Sequence, residues 1–188
     1  IRIGVNGGSL SKAAIERAQN GQLDGLTAQI TDKKLDNSAK LRVAALADSV
    51  AEYVRYFETR NFCDIVLSVK SSDVRQMIAA NKLVAKLGYP MHLGVTEAGL
   101  ARQGIVKNSV GIGALLLDGV GDTIRVSLTA DPVEEVYAAR EILKAAGIRR
   151  EQFGADWRVQ NIPQNRARSP ENRGWESAGR RTDAGSDA

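Results

Sequence analysis

The stretch DIVLSVKSSDVRQMIAANKLVAKLGYPMHLGVTEAG, Asp64 to Gly99, decides the fold. Its opening residues, Asp64–Val69, form a short β-branched run that reads as a strand, and Met91–Val95 form another. Between them, Ser72 to Leu87 carry apolar residues at helical spacing. A helix of that length between two strands is a crossover, so the strands it joins are parallel. The same unit recurs on both sides. Ile1–Val5 and Thr123–Leu128 are further β-branched runs, and Leu41–Phe57 and Gly99–Leu117 carry helical patterns, the latter weakened by Gly104, Gly111 and Gly113, which allow close packing on a sheet. The last strand leads into TADPVEEVYAAREILKAAG, where Asp131 suits an N-cap, Pro132 the first helical position, Glu134 and Glu135 the positive end of the dipole, and Gly147 the stop. The order βαβαβαβα predicts an α/β protein with a parallel sheet whose strands are too apolar on both faces for one side to meet water.

Composition sets the outer bounds. The chain has 188 residues, 43% of them hydrophobic, and contains no apolar run of membrane-spanning length. Its 26 basic and 22 acidic residues leave a net charge of +4, too mild and too scattered to read as a nucleic-acid surface. Cys63 is the single cysteine, which excludes an internal disulfide framework and predicts a reducing cytoplasm. Ile1 already lies inside a strand-like run, so the chain is expected to be a fragment. Gln19–Lys40, polar and turn-rich, reads as an insertion, and from Arg149 the hydrophobic periodicity vanishes, which predicts a disordered tail over 149–188 beside a folded unit over 1–148.

Polar residues close each strand: Asn6 the first, Lys70 and Ser72 the second, Thr96 and Glu97 the third, Ser127 and Thr129 the fourth. The carboxyl ends of parallel strands share one rim, where α/β sites gather. Arg2 and Arg125 interrupt strand runs, and a guanidinium taken out of water needs an anion, either a carboxylate or a ligand such as a phosphate. With Lys70 they would form a cationic floor suited to a diphosphate. Each residue also has a plain structural reading. Residues such as Asn6, Ser72, Ser127 and Thr129 are more often caps or turn formers than ligands. Glu97 could form an ion pair with Arg125 or Lys70. Lys70 could be a solvated surface lysine or an imine-forming nucleophile. His92, at a strand start and so on the wrong end for the rim, reads as a satisfied structural histidine, and Cys63 as a small buried apolar residue. Asn6–Ser9, NGGS, is similar to a phosphate-cradling turn but lacks a full glycine-rich motif.

The blocks IRIGVNGGSL, DIVLSVKSSDV, HLGVTEAG, GIGALLLDGVGDTIRVSLTADPVEEV and AAREILKAAGIR resemble, in order, the family of 4-hydroxy-3-methylbut-2-en-1-yl diphosphate synthases. The resemblance covers Ile1 to Arg149, with Gln19–Lys40 as the main departure. It implies the C-terminal half of a TIM-type (β/α)8 barrel, four βα units, in an oxidoreductase of the non-mevalonate isoprenoid pathway. The implied reaction is the reductive opening of 2-C-methyl-D-erythritol 2,4-cyclodiphosphate to the linear allylic diphosphate, with electrons from a ferredoxin or flavodoxin. It further implies that Arg2, Asn6, Lys70, Thr96, Arg125 and Ser127 contact this substrate and that Glu97 helps deliver a proton. The family carries a [4Fe-4S] cluster in a separate small domain and forms a homodimer that brings this domain over the partner's barrel.

The tail departs from that pattern: it holds no cysteine, and a cluster needs several thiolates, so this chain is expected to bind none. Half a barrel is expected to leave two unpaired strand edges and an apolar inner face, and to be inactive alone. A barrel aldolase using Lys70, and a non-catalytic phosphate-binding half-barrel, stand as the alternative functions.

Overall fold

The computed structural model describes residues 1–148. The expectation of a disordered tail over 149–188 lies outside the described residues.

Four parallel strands and their helices alternate along the chain: β1 (Arg2–Asn6), α1 (Lys12–Gln19), α2 (Asp24–Thr27), α3 (Asn37–Glu58), β2 (Val66–Lys70), α4 (Val74–Ala85), β3 (His92–Leu93), α5 (Ala101–Leu117), β4 (Thr123–Ile124) and α6 (Pro132–Ala145). β1 pairs with β2 in a register that sets Arg2 against Val66 and Asn6 against Lys70. β3 pairs with β4, His92 against Thr123. A bridge from Leu67 to Met91 joins the two pairs, so the strands follow one another in space as they do in sequence. The outer edges of β1 and β4 have no further strand beside them among the described residues.

Side chains alternate across a strand, and here the alternation separates chemistry. Ile3, Leu67, Val69, Leu93, Val95 and Val126 are buried on one face. They meet Val43, Leu46, Val50 and Val54 of α3, Met77 and Val84 of α4, Ile112 and Leu115 of α5, and Ile142 of α6 in one core. The other face carries Arg2, Gly4 and Asn6 of β1, Val66, Ser68 and Lys70 of β2, His92 and Gly94 of the third strand run, and Arg125 and Ser127 of the fourth, Val66 being its one aliphatic side chain among these. Apolarity on both faces was expected, and so was an apolar inner face. The structure corrects both: the helix-covered face alone is apolar, and the face that a barrel turns inward is polar and cationic.

Capping accounts for the helix boundaries. α3 begins before the expected Leu41 because the Asp36 carboxylate accepts from the Ala39 amide. α4 begins at Val74 because Asp73 accepts from the amides of Arg75 and Gln76. α6 has the expected start, with Asp131 accepting from Val133 and Pro132 at the first position, and Gly147 beyond its end has φ 75°. The glycines of α5 act as expected at two positions. A side chain on Gly104 would stand 2.6 Å from Leu128 Cδ2, and one on Gly111 2.7 Å from Met77 Cε, whereas Gly113 faces open space.

Packing adds to the reading of one segment and shortens two strands. Residues 19–40 are polar in sequence, yet Leu23, Ile30 and Leu35 are buried and the segment packs into the fold. Ala14, Ala18 and Leu23 close against Ala44 and Ala45 of α3, small side chains that let the helices approach. The third and fourth strands ladder over only two residues each, not over Met91–Val95 and Thr123–Leu128. Regular pairing lapses beyond the Arg125 amide, which donates to the Leu93 carbonyl at 2.9 Å. Among the described residues no helix is long and apolar enough to cross a membrane.

Candidate functional site

The carboxyl ends of the strands converge on one rim. At the end of β1 the Asn6 side-chain oxygen accepts from the Gly8 amide at 3.2 Å, and the Ser9 hydroxyl donates to the Asn6 carbonyl at 3.3 Å. This Asx turn folds Gly7–Ser9 into a single 3₁₀ turn. Next to it, Ser71 after β2 accepts from the Asp73 amide through its hydroxyl, and its carbonyl receives the Thr96 amide at 3.4 Å. The third strand is thereby tied to the second at the height of the rim.

Glu97 follows with φ 53°, one of two non-glycine residues with positive φ among those described. A left-handed glutamate is strained by roughly 1 kcal/mol. Gly99, at φ 94°, continues the reversal. The result carries the Glu97 carboxylate over the Asn6 turn, with Oε1 3.9 Å from where a side chain on Gly8 would begin. Glu97 is exposed and has no ion-pair partner among the described residues, so the pairing with Arg125 or Lys70 considered from the sequence does not form. The Thr96 hydroxyl beside it is buried and has no hydrogen-bond partner.

Below the rim lies the cationic wall. Lys70 bends across Gly94: a side chain there would stand 3.3 Å from Lys70 Cε and 2.9 Å from the Arg125 carbonyl. Glycine therefore leaves the space the lysine occupies. Burial, and then the charges of Arg125 and Arg2, hold the Lys70 pKa below the ordinary lysine value. Arg2 and Arg125 were expected to be buried against an anion. Both are exposed, because the inner wall is open, and neither meets a carboxylate among the described residues. Three cations on one wall without a counter-charge repel one another, and the repulsion is relieved when an anion enters.

His92 belongs to this wall, contrary to its reading as a satisfied structural histidine. It is 5% exposed; Nδ1 lies 2.8 Å from the Thr123 hydroxyl, while Nε2 is buried without a partner. Desolvation, then Arg2, Lys70 and Arg125, push its pKa down to about 4, so the imidazole is neutral at neutral pH. The sequence shows only that His92, Gly94 and Thr96 alternate to one side of their run; the register places that side on the face of Lys70. Cys63 is another correction. It is exposed in the loop before β2, at the opposite end of that strand from Lys70.

The structure thus gathers Arg2, Lys70 and Arg125 on one wall, sets Asn6 and Glu97 side by side above it, and leaves Ser127 on the same face of the fourth strand run. Comparison with known proteins gives the family. The profile of the GcpE TIM-barrel domain matches residues 1–140. The chain is 47% identical over 148 residues to the 4-hydroxy-3-methylbut-2-en-1-yl diphosphate synthase (flavodoxin) of Clostridium acetobutylicum, covering 78% of this chain and 37% of that protein. It is 46% identical over 145 residues to the enzyme of the same name from Fusobacterium nucleatum, covering 77% of this chain and 35% of the relative. For the Thermotoga petrophila enzyme of that name the identity is 43% over 150 residues, 79% of this chain and 36% of the relative. The chain spans little more than a third of the length of these relatives.

Proposed function

We propose, from the premise that the chain belongs to the GcpE TIM-barrel family, that it forms the diphosphate-binding wall and proton-delivering rim of a 4-hydroxy-3-methylbut-2-en-1-yl diphosphate synthase. The substrate is 2-C-methyl-D-erythritol 2,4-cyclodiphosphate, opened reductively to the linear allylic diphosphate with loss of water. The observation that carries this reading is the wall of Arg2, Lys70 and Arg125, cationic and without a carboxylate among the described residues. Guanidinium groups grip phosphate oxygens bidentately, and Lys70 adds a point charge where Gly94 makes room for it. Asn6, Thr96 and Ser127 supply hydrogen bonds to the rest of the ligand, and the free hydroxyl of Thr96 is available for one. Glu97, held over the rim by strained backbone, protonates the departing hydroxyl, while the cations stabilise the diphosphate oxygen released as the ring opens.

The relatives' names specify flavodoxin, and a flavodoxin, or a ferredoxin of equivalent role, is the electron donor in this reading. A cytoplasmic location and a homodimer of the whole gene product belong to the same proposal, as does a folded unit ending at residue 148. The iron–sulfur cluster that the family implies does not fit the residues of this chain. Its single cysteine is exposed at the far end of β2, and the described residues contain no group of three potential ligands. No step is therefore assigned to the cluster here.

The test uses the whole gene product, supplied with reductant. Glu97→Gln is expected to keep cyclodiphosphate binding and lose about a hundredfold or more in turnover. Arg125→Gln is expected to weaken binding about tenfold or more, the worth of a charged hydrogen bond. Unchanged turnover in the first variant leaves a non-catalytic phosphate-binding wall. The aldolase alternative has the lowered Lys70 pKa in its favour. Borohydride trapping of Lys70 with a carbonyl substrate would establish it, and the two arginines count against it.

A further inference from the structure

The fourth strand loses its ladder just where the site needs it. Beyond the Arg125 amide, the next backbone bond across to the third unit is from Thr129 to the Gly99 carbonyl, at 3.2 Å. Ser127 lies between, and two helices hold it through one peptide group. The Ser127 carbonyl accepts from Asn108 Nδ2 of α5 at 3.4 Å. The amide of the same peptide, that of Leu128, donates to Glu135 Oε1 of α6 at 2.9 Å.

The chemistry of each partner is specific to this task. Asn108 is fully buried and spends both amide hydrogens on carbonyls, the second on Gly104 at 2.8 Å, while its oxygen has no partner. A buried amide with an idle acceptor is costly unless its donors are needed, and only a double donor serves two carbonyls. Glu135 stands in the first turn of α6, where its charge also suits the helix dipole, yet it reaches back out of the helix to the preceding loop. Gly104 completes the seat, since Leu128 occupies the space where a side chain on that residue would stand.

We infer that Asn108 and Glu135 are positioning residues that clamp the Ser127–Leu128 peptide from its two poles and so aim the Ser127 hydroxyl at the ligand on the cationic wall. The inference rests on the diphosphate reading above. Rotation of that peptide plane would turn the Ser127 side chain off the inner face.

The experiment is calorimetric titration of the whole gene product with 2-C-methyl-D-erythritol 2,4-cyclodiphosphate, using a double-mutant cycle. Glu135→Ala is expected to weaken binding about fivefold to tenfold, and Glu135→Gln, which keeps an acceptor, to restore most of it. In a Ser127→Ala background, Glu135→Ala is expected to cost nothing more. Hydrogen exchange should speed up at the Leu128 amide while the core amides keep their protection, which separates a released clamp from a misfolded protein. Equal losses in both backgrounds would make Glu135 merely structural and overturn the inference. So would unchanged binding in Glu135→Ala while Arg125→Gln weakens it. Absence of binding by the wild type, or indifference to Arg125→Gln, removes the diphosphate reading itself and the clamp with it.

Discussion

The energetic tension of the site is concentrated in Glu97 and His92. Glu97 occupies left-handed backbone that glycine would adopt without cost. Glu97→Gly is therefore expected to raise stability by up to about 1 kcal/mol while abolishing proton delivery, the usual opposition between stability and function. Denaturant unfolding read beside turnover tests it, and a variant less stable than wild type would refute the strain argument. His92 gives a prediction in pH. Its folded pKa is about 4 against an ordinary 6.5, so between these values the unfolded chain binds a proton that the native state refuses. Its contribution is thus constant above the upper value and is lost as pH falls through the window, by roughly 3 kcal/mol. Thermal melts across pH should show this slope in the wild type and a flatter one in His92→Gln. The sequence exposed the charges of Arg2, Lys70 and Arg125 but not the role of His92. A histidine two residues from a glycine is uninformative until the register places both beside a lysine.

At the scale of elements, side chains replace backbone pairing where the ladders lapse. Asn81 of α4 donates to the Val69 carbonyl at 2.9 Å and to Met77 at 2.8 Å, holding the end of β2 next to Lys70. Asn81→Ala would leave a buried carbonyl bare and is expected to cost about 1 to 3 kcal/mol, measurable by denaturant unfolding. Gly94→Ala should cost a similar amount, because the added carbon meets the Arg125 carbonyl at 2.9 Å and backbone cannot swing aside as a side-chain tip can. Helix identities were legible because period and caps are local: Asp131, Pro132 and Gly147 mark α6 where the structure has it. Strand lengths were not, since a β-branched run continues to look like a strand after its partner has moved away. Thr123–Leu128 is one β-branched run in sequence and, in space, a short ladder followed by a clamped segment.

For the whole molecule, the open cationic wall predicts that cyclodiphosphate binding weakens as salt rises, as for any anion held by uncompensated surface charge. A salt series by calorimetry checks this, and affinity independent of ionic strength would argue against the wall as the binding surface. The chain alone is expected to give no turnover even with reductant, because it has one cysteine and no cluster can form on it; detectable turnover would refute that. The amino-acid sequence by itself determined the parallel βα order, the caps of α6, the family and the three cations, since all are written in periodicity and residue type over short spans. Only the tertiary structure decided that the second sheet face is polar, that Arg2 and Arg125 stand open, that residues 19–40 reach the core, and that Asn108 and Glu135 meet on one peptide. Those facts depend on register and on contacts between residues distant in the chain, and no local pattern encodes which side chain will lie opposite another once the helices have packed.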